Sequence, residues 1–254
     1  MSKVIKSEIL KYFSGKFIYV LCIITTALPL LYYGFGYIVA RINPEQAEQV
    51  LEGVANVSFQ EYVFTSLIRF FSSGDIYLMI PILIAIIVTE DYGQGTIKYS
   101  LLAVSKEKLI MGKIVVIALV NSLLIACYLV SNIIIGFIGT QGFGNESFLM
   151  KTIVVLGIGW ITILGYSSVI TLVAINTRKV AYAILGGFGV FIFISMLKGL
   201  IPETIRYIVI SSNIEGLIKM DIQTGVRALC VSIAYSLVFI LLSRATFLRK
   251  EIYT

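Results

Sequence analysis

Histidine is absent from this 254-residue chain. That excludes haem ligation by histidine, His-containing zinc sites, and Ser–His or Cys–His catalysis together. Charge is scarce: 13% of the residues are Asp, Glu, Lys or Arg, against about 25% in an ordinary soluble domain. Cysteine is limited to Cys22, Cys127 and Cys230. Each lies in a long apolar run without metal-ligand spacing, so buried reduced thiols are expected. The phosphate-binding pattern G-x-x-x-x-G-K-[ST] does not occur. Gly15-Lys16 and Gly112-Lys113 both lack the upstream glycine and the following hydroxyl. The chain therefore reads as having no ATPase site, no bound cofactor and no metal of its own. No acid–base pair can be assigned, and it is not read as an enzyme.

What is present is apolar surface. Hydrophobic residues make up 58% of the chain, and its mean hydropathy is +0.96. A water-soluble globule of this size could not hide that much, so the expected solvent is lipid. Charge-free runs occupy 17–40, 76–89, 114–145, 152–177, 180–197 and 228–243. A spanning helix needs about 20 residues. The second and sixth runs reach that length by extending to 72 and 248, with Asp75 in the headgroup zone and Arg244 snorkelling to the interface. The expected fold class is thus an all-α integral membrane protein, a single transmembrane domain over 1–254. Its six spans lie near 17–40, 72–89, 114–139, 152–177, 180–197 and 228–248. Nothing resembles the alternating ten-residue segments of a membrane β-barrel.

Basic residues orient the bundle. With the N-terminus inside, thirteen of the 20 basic residues and five of the 14 acids fall on inner segments, leaving a charge of +8 inside and −2 outside. The positive-inside rule then puts both termini in the cytoplasm. The first span follows a lysine cluster, is too long for a signal-peptide core, and has no small-residue cleavage site after it.

Residues 1–16 read as an amphipathic interfacial helix. Val4, Ile5, Ile9, Leu10 and Phe13 form an apolar stripe, with Lys3, Lys6 and Lys11 away from it. The expected outer loops are 41–71, 140–151 and 198–227. Within the first, 45–54 reads as one short helix. The stretch 59–71 reads as a second, amphipathic helix lying along the outer leaflet as a cap. Within the last, 205–210 reads as a short interfacial or re-entrant helix. At depth the polar groups are neutral. Thr25, Thr26, Asn121 and Asn132 are candidates for a substrate route, set against ordinary helix packing and back-bonding to helix carbonyls. Ala183 and Gly187, like Ser232 and Ser236, are spaced for close helix approach and are compatible with subunit association. Pro29 and Pro81 each remove a backbone donor inside a span and can kink it.

The expected inner loop, 90–113, carries the most specific pattern. Asp91-Tyr92-Gly93-Gln94-Gly95-Thr96-Ile97-Lys98 follows the second span. Leu101 to Lys106 comes next, and Leu109-Ile110-Met111-Gly112-Lys113 runs into the third span. Gly93 and Gly95 allow a sharp turn, and Glu90 and Asp91 are expected near the start of a short helix, where they suit its dipole. This resembles the acidic-Tyr-x-x-Gly-Thr-Ile-Lys and Ser-[Arg/Lys]…Gly-Lys pattern of ABC-2-type transporter permeases. The short six-helix permeases of lantibiotic and bacitracin immunity exporters and of phenol-soluble-modulin-type peptide exporters are the nearest in layout. Asp91 stands where that family often has Glu, with Glu90 beside it.

The resemblance implies a type V exporter-like permease fold in a bacterial plasma membrane. It implies a second permease subunit, identical or different, and two copies of a separate ATP-binding subunit that holds ATP and Mg. Coupling to that subunit would fall to Glu90, Asp91, Tyr92, Gly95, Thr96 and Lys98. The implied cargo is an amphipathic, antimicrobial or toxin peptide, the other contact is membrane lipid, and no nucleic acid is involved. The alternative is a stand-alone channel or ion-coupled carrier. Against it stands the lack of ionisable residues at mid-depth in any expected span.

Overall fold

The computed structural model describes residues 2–42, 58–72, 74–139, 147–177, 179–202, 208–209 and 222–250. These residues form nine α-helices and no strand. They are α1 (Ser2–Phe13), α2 (Lys16–Ile42), α3 (Phe59–Ser72), α4 (Gly74–Gly93), α5 (Ile97–Ala103), α6 (Lys106–Gly139), α7 (Ser147–Asn176), α8 (Val180–Leu200) and α9 (Ile222–Arg249). Six of them, α2, α4, α6, α7, α8 and α9, are long and apolar enough to cross a membrane. The chain is accordingly a multi-pass membrane protein. The reading over 45–54 lies outside the described residues, as does most of that over 205–210.

Helices α4, α6 and α7 form the centre, and α7 packs against α3, α4, α6, α8 and α9. The peripheral spans bury little: 22% of the apolar stretch of α2 and 11% of those of α8 and α9 lie inside the chain, against 61% for α4. Their outward faces carry Tyr19 and Ile23 on α2, Phe193 and Met196 on α8, and Leu237 and Leu241 on α9. In water such faces would drive aggregation; in hydrocarbon they are at home. One end of the bundle gathers α1, the α4–α6 connection, the α7–α8 turn and the last turn of α9; it is called the basal end below.

Three sequence readings change. The stretch 90–113 is mostly helical rather than a loop: α4 runs on to Gly93, α5 occupies Ile97–Ala103, and α6 begins at Lys106. The stretch 59–71 does not lie flat as a cap. It is α3, packed between α6 and α7 with Leu67, Phe70 and Phe71 fully buried. Phe70 stacks on Tyr128 at 3.9 Å between ring centroids, and the Tyr128 hydroxyl donates to the Ser66 carbonyl at 3.3 Å. At its other end the Phe59 ring meets that of Phe137 at 4.6 Å between centroids, tilted by 34°. Helices α3 and α4 thus run antiparallel to α6 as one interrupted descent, with the interruption next to Gly74. Asp75 therefore sits inside the length of the bundle, where both its carboxylate oxygens accept from the Tyr32 hydroxyl at 2.9 and 3.0 Å. The Arg69 guanidinium lies over the same Tyr32 ring at 4.8 Å.

The third change concerns the small residues. Ala183 and Gly187 are buried against neighbours in the same chain. A Cβ on Gly187 would lie 2.6 Å from Pro81 Cβ and 3.3 Å from Pro81 Cα, so the glycine is the seat for the proline of α4. Ser232 is a hydrogen-bond partner of Thr162 at 2.9 Å, tying α9 to α7. Both features hold this chain together rather than offering a face to another. Gly187→Val is therefore expected to lower stability by about 1–3 kcal/mol through overpacking. Gly189→Ala, where a Cβ meets nothing within 4 Å, is expected to leave stability unchanged or slightly raised. Thermal unfolding of the two variants in detergent checks the contrast.

Candidate functional site: an ion network at the basal end

The last turn of α4 carries Glu90 and Asp91. A helix C-terminus is the negative end of its dipole, the wrong place for a buried carboxylate unless cations are supplied. For Asp91 they are. Asp91 is fully buried and ion-paired to Lys113 of α6 at 2.6 Å and to Lys11 of α1. It also accepts a hydrogen bond from the Thr96 hydroxyl at 3.1 Å. Lys113, itself fully buried, donates to the Ile87 carbonyl at 2.7 Å and to the Tyr12 oxygen at 3.1 Å. The Glu8 carboxylate lies 3.6 Å from it. Tyr12 donates to the same Ile87 carbonyl at 2.8 Å. Burial, and then the nearby Asp91 charge, push the Tyr12 hydroxyl far above the usual tyrosine range, so it stays a donor. Two carboxylates and two ammoniums leave the network neutral, which is what a buried ionic cluster requires.

This geometry revises the reading of α1. Its inward face is Glu8 and Tyr12 with Lys11 at the edge, and Leu10 is exposed. The helix docks on α6 through Glu8 and Tyr12 together with part of its apolar stripe, Ile9 and Phe13 packing against the core, and makes a smaller contact to α2. Gly112 makes room for it: a Cβ there would lie 3.5 Å from both Glu8 Cγ and Val4 Cγ1. The two halves of the resemblance pattern, Asp91…Thr96 and Gly112-Lys113, are thus opposite sides of one junction. Sequence reading had placed Lys113 in that pattern and Lys11 on the polar side of the amphipathic helix, but had paired neither with Asp91.

The remaining expected coupling residues differ in position. Glu90 is half-exposed and accepts from Gln94 Nε2 at 2.9 Å. Tyr92 is half-buried, with the Lys250 ammonium 5.1 Å from its ring centre. Gly95 has φ of 70°, left-handed backbone that glycine adopts without strain, and it reverses the chain into α5. Lys98 is exposed. Helix α5 is pinned from beneath by buried Ile97 and, at its N-cap, by the Thr96–Asp91 bond. It turns Tyr99 and Leu102 outward at 75% and 80% exposure, with Lys98 beside them. Neither Tyr99 nor Leu102 was singled out from sequence. Their signal was a Tyr and a Leu three residues apart on a seven-residue helix, too short for periodicity to resolve.

Around this junction the helix ends are capped by cations. Lys106, at the start of α6, donates to the Lys250 and Leu248 carbonyls at 2.9 and 3.4 Å, closing the end of α9. Lys250 in turn donates to the Ile175 carbonyl in the last turn of α7. Arg244 pairs with Glu107 at 2.5 Å. Each lysine satisfies carbonyls that the helix leaves open.

The expected substrate-route residues are not gathered on one passage. Thr25 donates to the Leu21 carbonyl and faces Met79 of α4. Thr26 donates to the Cys22 carbonyl, and its own carbonyl accepts from Ser131 of α6. Asn121 donates to Ser167 of α7 at 2.8 Å, and Asn132 to the Tyr128 carbonyl. The bonds of Thr25, Thr26 and Asn132 to the carbonyl four residues before stay within their own helices, whereas Asn121–Ser167 and Ser131–Thr26 join helices within the chain. No family model matches the chain, and no curated protein matches it.

Proposed function

We propose that this chain is the membrane-spanning permease subunit of an ATP-driven exporter of the ABC-2 type. The observation that carries the reading is α5. It is a short helix at the basal end, held from below by a buried ion network and turning Tyr99, Leu102 and Lys98 away from the bundle. An exposed tyrosine and leucine on a charged surface fit a protein contact, and tyrosine is enriched among residues that dominate such contacts. In this reading the basal end is cytoplasmic and two copies of a separate ATPase, holding ATP and Mg, dock there. Two permease chains form the pathway. Force on α5 passes through Thr96 to Asp91, and from Asp91 to α6 through Lys113 and to α1 through Lys11. All four helices then shift together.

Export of an amphipathic peptide is the cargo reading. It is supported by the pattern in 91–113 and by an interior whose buried polar groups away from the basal end are neutral amides and hydroxyls. Such an interior suits a membrane-soluble cargo better than an ion. The stand-alone carrier remains the alternative. Purification of the tagged chain in mild detergent decides between them. The expected result is an equimolar Walker-type ATPase in the preparation, with ATP hydrolysis stimulated by amphipathic peptides. A lone polypeptide that transports in liposomes without ATP would overturn the proposal.

A further inference from the structure

Beside the ion network lies a second feature that the coupling role does not use. A cavity of about 610 Å³ opens where three spans begin or end: the first turn of α2, the basal half of α4 and the first residue of α8. That volume is in the range of small-molecule sites. Its walls are apolar and include Phe17, Leu83, Ile86 and Val180. Its mouth carries Lys11, Lys16 and Glu90. The position matters as much as the lining, because span ends mark the boundary between hydrocarbon and headgroups. Lipid-facing residues flank the cavity on both sides, Tyr19 and Val20 on α2 and Tyr182 and Leu185 on α8.

The charges at the mouth are unequal in availability. Lys11 is paired to Asp91, and Glu90 is engaged by Gln94. Among the described residues, the Lys16 ammonium has no hydrogen-bond or ion-pair partner. Lys179, immediately before Val180, adds a further exposed cation and lies over the Tyr182 ring. A pocket with apolar walls at the hydrocarbon edge and a free ammonium at its mouth matches one chemistry, an acyl-glycerol bearing an anionic phosphate.

We infer that this cavity binds an anionic glycerophospholipid of the basal leaflet. Its phosphate sits on Lys16 and the first part of its acyl chains lies against Phe17, Leu83 and Ile86. Because Lys11 lines the same mouth and also pairs with Asp91, the bound headgroup adjoins the ion network. Lipid composition is then felt where α1, α4 and α6 meet. The site stands on the membrane reading alone and does not depend on the ATPase partner.

The test is native mass spectrometry of the full chain, released from vesicles of equimolar phosphatidylglycerol and phosphatidylcholine with matched acyl chains. The expected result is one tightly held lipid per chain, with phosphatidylglycerol preferred about fivefold or more. Lys16→Glu should bring the two lipids to parity, and Ile86→Trp, which fills the cavity, should reduce retention of both. Lys16 is exposed, so its variant folds even if the tryptophan variant does not. Glycerol phosphate, which has the headgroup charge without the chains, should fail to displace the lipid. Equal retention of the two lipids by the unmodified chain would overturn the inference. So would a preference that survives Lys16→Glu, or full displacement by glycerol phosphate.

Discussion

Replacing Tyr99 and Leu102 together by alanine is expected to strip the ATPase from the purified chain while leaving the chain itself folded. Both side chains are largely exposed, at 75% and 80%, so their removal takes little from the interior of this subunit. At a protein interface a tyrosine anchor is worth about 2 kcal/mol or more, and 2 kcal/mol is roughly 30-fold in affinity. The double variant should therefore weaken ATPase association by well over an order of magnitude, measured by pull-down at graded dilution. Its thermal midpoint should match that of the unmodified chain. Lys98→Glu should show a smaller loss that depends on salt, because an exposed charge contributes little and is screened. Undiminished association in the double variant would move the docking surface away from α5.

The second large effect is expected from Lys113→Met. It leaves Asp91 buried with Lys11 as its one remaining cation and removes the ammonium beside Glu8. Breaking one side of a buried ion pair costs about 3–5 kcal/mol. For a chain of this length that lowers the midpoint on the order of 10 °C. The loss should centre on α1, whose docking depends on the network, so trypsin should cut at Lys6 and Lys11 faster than before. Adding Asp91→Leu removes the uncompensated charge, and the double apolar variant should recover most of the stability. ATP hydrolysis by the partner ATPase in its complex should no longer respond to peptide, because Thr96 then has no carboxylate to bind. A double variant that is both stable and fully coupled would reduce the network to scaffolding.

How far the sequence carried these conclusions differs by feature. The six long apolar helices were legible because charge-free runs of nearly membrane length have few alternatives. The error that mattered was four residues at the end of α4. Ending the second span at 89 put Glu90 and Asp91 at the start of a following helix, where the dipole favours them. The helix continues to Gly93, and the sign of the dipole argument reverses. Asp91 then needs cations, and those it finds are 22 and 80 residues away in sequence. No periodicity reports such pairs.

α3 was misplaced for a different reason. Fourteen residues make a helix of about 21 Å, too short to span, and Glu61 and Arg69 give it a polar side. An interfacial stripe was the natural reading. Phe70 and Phe71 are adjacent in sequence and so point to different sides of the helix, one onto Tyr128 of α6 and the other over Gly159 of α7. A helix held on two sides is a wedge rather than a cap. The small-residue pairs were read correctly as contact points, but their partners were other helices of the same chain.

The most direct test of the account places a photoreactive amino acid at Leu102 in living cells, with Leu10 on the outward face of α1 as the reference position. The account predicts an adduct at position 102 with a Walker-type ATPase, and adducts at position 10 with lipid. Adducts at position 102 with lipid alone would contradict it.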